Sequence, residues 1–317
     1  MKIVVLDGYT LNPGDLDWQE FAALGQFTCF DRTTSEQLLE RAQDAEILLT
    51  NKTVINAEAL LQLPKLSYIG VLATGTNVVD IEAARERGIA VTNVPGYGPD
   101  AVAQMVFAHI LHHTQAVAAH HQAVASGQWS QCTDFCFTLN PLQSLKGKVL
   151  GLVGFGDIGQ KVAKIARAFD MQVLINTHST KTDLPEGVSW CELDNLYRQA
   201  DIISLHCPLT DKTDEMINAA TLAKMKPNAL LINTARGGLI NEADLANALN
   251  HGVIAAAGVD VLSSEPPRAD NLLLSAKNIS ISPHNAWATL EARENLMNIA
   301  LKNLTSFMAG EKLNRIC

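Results

Sequence analysis

The chain has 317 residues, of which 47% are hydrophobic and 18% are charged, and its formal net charge is −9 at pH 7. This length exceeds one ordinary core and predicts two domains. The acidic balance argues against nucleic acid and anionic membranes as partners, because both need a cationic protein surface. No apolar run reaches the ~18–20 residues that a membrane-spanning helix requires.

The N-terminus and the cysteines bear on the compartment. The first ten residues, MKIVVLDGYT, have too short an apolar run for a signal peptide and predict a first strand. Six cysteines form no C-x-x-C pair, which predicts a reducing, cytoplasmic location. Cys132 and Cys136 lack a nearby His or Cys to complete a zinc set, so no metal is expected.

Short apolar runs alternate with helical stretches along the first hundred residues. Strands are predicted at 2–8, 27–31, 45–51, 66–72 and 89–94. Apolar spacing predicts a helix over 35–43 capped by Ser35, and another from Asp80 to Gly88. Strands alternating with helices predict βα units and a parallel sheet.

A proline- and glycine-rich cluster at 94–100 predicts a turn or hinge. One long helix is predicted after it, over about 101–126, and a final helix over about 288–309. Between these helices runs a second βα series. Its later strands are predicted at 172–176, 201–207, 229–235, 255–261 and 279–283.

A glycine-rich motif, GFGDIG, spans Gly154 to Gly159 between an apolar strand and an amphipathic helix. This context predicts a dinucleotide site, although an ordinary βα turn rich in glycine is the alternative. Gly154 would permit the tight turn, Gly156 the close approach of a pyrophosphate and Gly159 the packing of helix on strand. The helix N-terminus would direct N–H groups at the phosphates. The other residues expected at this site are Phe155, Asp157 and Ile158.

The choice of cofactor depends on the next strand, which ends in Asn176 and Thr177. No acid that could bind a ribose 2′-hydroxyl follows until Asp183, and Lys181 is the nearest cation. Asn176 and Thr177 could bind a ribose without repelling a phosphate. NAD is the expected cofactor, and NADP stays open.

Three later strands each run into a charged or ionisable residue: Arg236, Glu265 and His284. Singly, each has an ordinary explanation as a helix cap, a solvated loop residue or a partly buried histidine. Together they favour function, because ligands of open α/β sheets bind beyond the carboxyl ends of the strands. Asp260 also lies at a strand end.

The ordered motifs resemble those of the D-isomer-specific 2-hydroxyacid dehydrogenases. The resemblance covers nearly the whole chain and rests on the glycine motif together with VLATGTNVVD, NVPGYGPDAVAQ, NTARGGLINEADL, GVDVLSSEPP and ISPHNAW. The T-G-T-N form, Gln104 and DFCF at 134–137 are most like the glycerate dehydrogenase (hydroxypyruvate reductase) branch.

The resemblance implies an α/β fold of two doubly wound parallel-sheet domains. A Rossmann cofactor domain, 98–286, would be inserted into a discontinuous, flavodoxin-like catalytic domain made of 1–97 and 287–317. In the family, the region of the long helix forms much of a two-fold dimer interface, so a homodimer is expected.

The resemblance also implies roles for the strand-end residues in reducing a small 2-oxo acid, hydroxypyruvate or glyoxylate, to D-glycerate or glycolate. His284 would be the general acid, since an imidazole titrates near neutral pH. Glu265 would orient the ring and favour its protonated form. Arg236 would bind the substrate carboxylate and polarise the carbonyl. Asp260 would lie on the cofactor side.

Two further sets of residues are implied by the resemblance. Backbone amides of Ala73, Thr74 and Gly75 would hold the substrate carboxylate, and Gly75 would permit the close approach. The cofactor contacts would include Cys207, Pro208, Thr213, Thr234 and Ala235.

Some features keep two interpretations. Trp287 is either a core anchor or a wall of a pocket for a small substrate. The helix near 101–126 is rich in histidine; His109 and His113, one turn apart, could form a metal pair, but buried or interface histidines are favoured. The alternatives to the glycerate dehydrogenase activity are a D-lactate-type dehydrogenase and a non-enzymatic dinucleotide sensor of the same fold.

Overall fold

The computed structural model describes Met1 to Cys317, and the chain divides into two compact units. The first combines Met1–Gly98 with Trp287–Cys317, and the second is Pro99–Ala286. Each contains one parallel sheet connected through helices, which confirms the predicted fold class of two doubly wound α/β domains. Among the helices, none has the length and apolar character needed to cross a bilayer.

The regular elements follow one another as strand and helix over most of the chain. The strands are β1 (Lys2–Val5), β2 (Gln26–Cys29), β3 (Ile47–Thr50), β4 (Tyr68–Val71), β5 (Ala90–Thr92), β6 (Val149–Val153), β7 (Gln172–Asn176), β8 (Val188–Trp190), β9 (Ile202–Leu205), β10 (Leu230–Asn233), β11 (Ala256–Val259) and β12 (Ile279–Ile281). The helices are α1 (Gln19–Ala22), α2 (Ser35–Ala42), α3 (Ala57–Leu61), α4 (Ile81–Glu86), α5 (Pro99–Gln115), α6 (Val117–Ala125), α7 (Asp157–Ala168), α8 (Leu193–Gln199), α9 (Ala219–Leu222), α10 (Glu242–Asn250) and α11 (Leu290–Met308).

The sheet of the first unit has the order β2-β1-β3-β4-β5, with every pair parallel. Its strands are apolar on both faces because each face is covered. Val4 packs in one core cluster, whereas its neighbours Ile3 and Val5 pack in another. A continuous apolar run is therefore the expected pattern for such a strand.

The sheet of the second unit has the order β12-β11-β10-β9-β6-β7-β8, again all parallel. The chain starts at β6, runs outward to β8 and then returns to β9 on the other side of β6. This reversal is the topological switch point at which open α/β sheets bind ligands. The glycine motif follows β6 at that point.

Two local expectations were wrong, and one strand was not predicted. The predicted long helix over 101–126 is two helices, because Ala116 adopts a left-handed conformation (φ 49°) and separates α5 from α6. Thr34 rather than Ser35 caps α2, in a capping box with Gln37. The edge strand β8 was not predicted, since its three residues, VSW, are too few for a periodic signal.

Candidate active site

His284 and Glu265 form a direct pair in the second unit. His284 follows β12, Glu265 lies in the loop after β11, and the His284 Nδ1–Glu265 Oε2 distance is 2.5 Å. The other carboxylate oxygen of Glu265 accepts the main-chain N–H of Leu262 at 3.1 Å, which anchors the glutamate. Both side chains are about one-third exposed. An oriented imidazole that still reaches solvent is suited to exchanging a proton with a ligand.

The main chain at His284 is held by Asp260. His284 has a φ of 49°, a left-handed conformation that is uncommon for residues other than glycine. Its N–H donates to the Asp260 carbonyl at 2.8 Å, and the Asp260 carboxylate accepts the N–H groups of Asn285 and Ala286 at 3.0 Å each. Burial raises the pKa of Asp260. The sequence predicts Asp260 on the cofactor side, and in this geometry its carboxylate also shapes the loop after His284.

Arg236 lies just past the end of β10 with its side chain exposed. Its guanidinium donates from Nη1 to the Ala235 carbonyl at 2.7 Å. Buried Asn233 holds the turn: its side chain accepts from the N–H of Ala235 at 3.0 Å and donates to the Arg236 carbonyl at 2.9 Å. Sequence reasoning missed Asn233, although a polar residue that ends an apolar strand was the available signal.

Gly237 joins the Arg236 turn to the Glu265 loop. A Cβ atom at Gly237 would overlap the main chain of Leu262, which is also the segment that anchors Glu265. No side chain fits at this position, so the glycine lets the two loops pack directly against each other. The loops of Arg236 and Glu265 thus form one packed surface at this edge of the sheet.

The glycine motif has the geometry of a phosphate-binding turn. Gly154 has a φ of 103°, and a Cβ atom there would lie 2.5 Å from the His206 carbonyl oxygen, so the turn after β6 requires glycine. A Cβ at Gly159 would lie 2.7 Å from the Gly154 carbonyl oxygen, which explains the close packing of α7. A Cβ at Gly156 would meet nothing within 4 Å. The open space at Gly156, in front of α7, fits a pyrophosphate.

The other expected cofactor contacts surround the same switch point. The buried Thr234 hydroxyl, just past the end of β10, has no hydrogen-bond partner in the protein. Thr213 donates to the Pro208 carbonyl at 2.7 Å and closes its loop. Burial raises the pKa of Cys207, whose sulfur lies 3.8 Å from the Met216 sulfur, so this thiol stays protonated and acts as an apolar contact.

The residues after β7 are held by neighbouring main chain. Asn176 donates from its side chain to the Cys191 carbonyl at 3.0 Å, and Thr177 donates to the Ser179 carbonyl at 2.7 Å. Lys181 lies with Nζ 5.6 Å from the centre of the Phe155 ring. Residues 176–181, at the end of β7 and after it, therefore include one lysine and no acidic residue.

The predicted substrate loop belongs to the first unit. The Ala73 carbonyl accepts the Val94 N–H at 2.9 Å, and the Thr74 hydroxyl donates to the Val94 carbonyl at 2.9 Å. Trp287 lies in the same unit and contacts Tyr97 edge-to-face, with ring centroids 6.2 Å apart. Trp287 precedes α11, which begins at Leu290 with Thr289 as its cap.

An anchor missed in the sequence supports this loop. The buried Asp7 carboxylate accepts the main-chain N–H groups of Asn51, Lys52 and Thr53 at 2.7, 2.5 and 2.7 Å. Asn51 in turn donates from its side chain to the Leu72 carbonyl at 2.6 Å, directly before Ala73. The loop is therefore fixed through two successive strand ends.

The chain was compared with known proteins. Residues 107–286 match the family model described as D-isomer specific 2-hydroxyacid dehydrogenase, NAD binding domain. A hydroxypyruvate reductase from Blautia hydrogenotrophica is 46% identical, with 99% of both chains covered, and a glycerate dehydrogenase from Methylorubrum extorquens is 39% identical, with 99% of this chain and 98% of the relative covered. The solved structure of an acyclic imino acid reductase (Bsp5) in complex with NADPH and D-Arg superposes with a TM-score of 0.87 at 30% identity, and all of both chains is covered.

A parallel sheet with a glycine turn at its switch point, and a histidine–glutamate pair at its carboxyl edge, defines a dinucleotide-dependent oxidoreductase. The chain belongs to the D-isomer-specific 2-hydroxyacid dehydrogenase family.

Proposed function

We propose that this protein reduces a small 2-oxo acid, hydroxypyruvate or glyoxylate, to D-glycerate or glycolate. The observation that carries the proposal is the His284–Glu265 pair, 2.5 Å between Nδ1 and Oε2, at the carboxyl edge of a dinucleotide-binding sheet. The hydroxypyruvate reductase and glycerate dehydrogenase among the relatives support this substrate class. The same His–Glu pair would serve a D-lactate-type dehydrogenase that acts on another 2-oxo acid. The pair therefore supports the reaction, and the relatives support the substrate class.

Each strand-end residue has a proposed part in the reaction. Glu265 holds His284 at Nδ1, so Nε2 is the nitrogen that delivers a proton to the carbonyl oxygen of the substrate. The exposed guanidinium of Arg236 binds the substrate carboxylate in a bidentate manner and stabilises charge that develops on the carbonyl oxygen. Asp260 keeps the His284 loop in its left-handed conformation. In the first unit, we propose that the Ala73–Gly75 main chain binds the carboxylate and that Trp287 limits substrate size.

The cofactor residues are proposed on the same basis. The turn from Gly154 to Gly159 would hold the pyrophosphate, Asn176 and Thr177 the ribose, and Thr234 and Asp260 the nicotinamide side. When bound, the cofactor supplies a hydride to the carbonyl carbon. We propose NAD as the cofactor, in accord with the NAD-binding domain of the family. Lys181 is the one group placed to favour a 2′-phosphate, so Lys181→Ala should lower any activity with NADPH and leave that with NADH unchanged.

A substrate panel tests the proposal. Purified protein is mixed with NADH or NADPH and, in turn, hydroxypyruvate, glyoxylate and pyruvate, and loss of absorbance of the reduced cofactor is followed. We expect the highest kcat/KM with NADH and hydroxypyruvate or glyoxylate. A preference for pyruvate would favour the D-lactate-type alternative, and no turnover with any 2-oxo acid would favour a dinucleotide sensor.

We also propose that the protein is a homodimer. Several large apolar side chains between residues 117 and 142 are exposed in the single chain, and Phe135 is 89% exposed. They are Val117, Val124, Trp129, Phe135, Leu139 and Leu142. Exposed apolar groups clustered in one segment are typical of interaction surfaces. Light scattering should give twice the 34.2 kDa chain mass, and Phe135→Asp should shift it toward the monomer.

A further inference from the structure

A chain of buried and partly buried polar side chains runs from α5 to the catalytic loop, entirely within the second unit. His109 and His113 lie one turn apart on α5, and Ser280 and Ser282 lie on one face of β12 and its end. His109 Nδ1 lies 2.7 Å from Ser280 Oγ, and His109 Nε2 lies 3.0 Å from Ser282 Oγ. The Ser282 hydroxyl donates to Asp260 Oδ1 at 2.6 Å.

The direction of each hydrogen bond follows from the end at Asp260. Both oxygens of the Asp260 carboxylate accept main-chain N–H groups, so Ser282 is the donor to Asp260. With its only proton used, the Ser282 oxygen must accept from His109, which requires a proton on Nε2. Burial lowers the pKa of His109 to about 4, so the ring is neutral at pH 7 and Nδ1 accepts from Ser280.

The hydrogen bonds of His113, at the other end of this row of polar side chains, give the same donor-to-acceptor direction. His113 Nε2 lies 2.9 Å from the Ala257 carbonyl oxygen, which can only accept, so this nitrogen also carries the proton. The same nitrogen lies 3.0 Å from Ser280 Oγ, so its single proton is shared between the Ala257 carbonyl and Ser280 in a bifurcated hydrogen bond, and the Ser280 hydroxyl proton is left to donate to His109. All donors therefore point along one path that ends on the Asp260 carboxylate.

The sheet is built to receive His109. Gly258 of β11 pairs in register with Ser280 of β12, and a Cβ at Gly258 would lie 2.6 Å from the His109 Cβ. Only glycine allows α5 to bring this ring down to the two serines. The close approach and the two serine contacts argue that His109 is placed for the polar chain, because an apolar side chain would fill a core position without them.

We propose that His109 is a positioning residue for the reduction: through Ser282 it fixes the Asp260 carboxylate, which holds the main chain that follows His284, at Asn285 and Ala286. The inference rests on the proposed role of His284 as general acid. A left-handed histidine persists only when its surroundings hold it, and here Asp260 binds the N–H groups of His284, Asn285 and Ala286. Without the donor from Ser282, the carboxylate can rotate and the imidazole loses its alignment.

Kinetics of matched variants test the role. His109→Phe removes both ring nitrogens, and we expect kcat with the preferred 2-oxo acid to fall about tenfold or more, since small misplacements of reacting groups cost up to ~10²-fold. KM for NADH should stay within about twofold, because the interaction acts on the chemical step. His109→Gln keeps a donor and an acceptor and should restore most of kcat. His251→Phe changes an exposed histidine outside this path and is the control.

The results separate this inference from the proposed function. If His284→Ala abolishes turnover but folded His109→Phe keeps the wild-type kcat, only the positioning role is lost. If His109→Gln is as impaired as His109→Phe, hydrogen bonding is not what His109 provides, and the inference is wrong. If the wild-type protein reduces no 2-oxo acid, the proposed function falls and the positioning role falls with it.

A second measurement reads the protonation of the histidine rings directly in the wild-type protein. In protein labelled with ¹⁵N-histidine, the chemical shifts of the ring nitrogens distinguish the two neutral tautomers. We expect His109 and His113 to carry their proton on Nε2 at pH 7, with the His109 signal assigned by its loss in His109→Gln. A proton on Nδ1 of His109 in place of Nε2, or a charged ring, would be incompatible with the hydrogen-bond directions described above and would overturn the inference.

Discussion

The carboxyl edges of the two sheets differ in what they present. In the second unit, Arg236, Glu265 and His284 offer ionisable groups that reach solvent. In the first unit, the charged group at the equivalent edge, Asp7, is buried and accepts the main-chain N–H groups of residues 51–53. Parallel topology thus creates an edge where polar groups collect, and burial decides whether they act on a ligand or hold the main chain.

The largest effect should come from the edge that offers ionisable groups. His284→Ala removes the proposed proton donor, and kcat should fall by at least ~10²-fold. NADH should still bind, because the glycine turn is untouched. Steady-state kinetics and fluorescence titration with NADH measure the two effects, and His251→Ala, at an exposed histidine, is the control. A near-normal kcat would show that His284 is not the proton donor. The ionisable groups of the second unit would then not be distinguished from Asp7 by a part in the reaction.

Replacing Asp7 tests whether the carboxyl edge of the first sheet serves stability rather than the reaction. Asp7→Ala leaves three main-chain N–H groups without their acceptor and should lower the free energy of unfolding by about 3 kcal/mol. Urea denaturation measures this change, and Glu40→Ala, at an exposed carboxylate, should alter stability little. If Asp7→Ala lost turnover while keeping full stability, Asp7 would belong with the reacting groups instead.

Arg236→Lys tests whether Arg236, at the carboxyl edge of the second sheet, binds the substrate carboxylate. Lysine keeps the charge but loses the planar fork, so one charge-assisted hydrogen bond to the substrate carboxylate is lost, and KM for the 2-oxo acid should rise about tenfold, or ~1.5 kcal/mol. KM for NADH should not change. Initial rates at varied concentrations of each substrate separate the two constants, and an equal rise in both would argue against carboxylate binding by Arg236.

Histidines with lowered pKa values make the second unit sensitive to acid. Burial lowers the pKa of His206 to about 4 from an ordinary value of 6.5. As pH falls through this interval, the unfolded chain binds a proton that the folded chain excludes, so the stability present above pH 6.5 is lost toward pH 4. His206→Gln should lower the slope of unfolding free energy against pH by about 1.4 kcal/mol per unit between ~pH 5 and 6.

Urea unfolding curves at several pH values measure the slope, with exposed His251→Gln as the control. An unchanged slope in His206→Gln would mean that the ring is protonated inside the folded protein.

Local patterns were enough to predict some elements and not others. Strands such as β1 and β3 were predictable because burial on both faces produces unbroken apolar runs. The break at Ala116 was not, because alanine favours helix and only its surroundings hold it at a φ of 49°. The capping role of Thr34 was assigned to its neighbour Ser35, since serine is the more favourable N-cap residue of the two.

The same division applies to the candidate site. Arg236, Glu265 and His284 could be proposed from sequence because each follows a strand, and parallel strands end at one edge. The Asp7 anchor was missed because Asp7 binds main-chain groups far along the chain, at residues 51–53. Asn233 was missed although its partners, Ala235 and Arg236, follow it directly, because an Asn at a strand end does not show in sequence which main-chain groups it binds. The partners of His109 lie 171 and 173 positions away, beyond any local pattern.

By itself, the sequence determined the two-domain α/β class, the glycine turn and the strand-end residues. These features depend on periodicity, backbone freedom and chain order, which are properties of neighbouring residues. Only the tertiary structure decided which polar groups are buried and what each one binds: the Nδ1 of His284 on Glu265, the amides on Asp7 and the oriented path from His113 to Asp260. Burial and hydrogen-bond direction arise when distant segments pack together, so no single segment carries them.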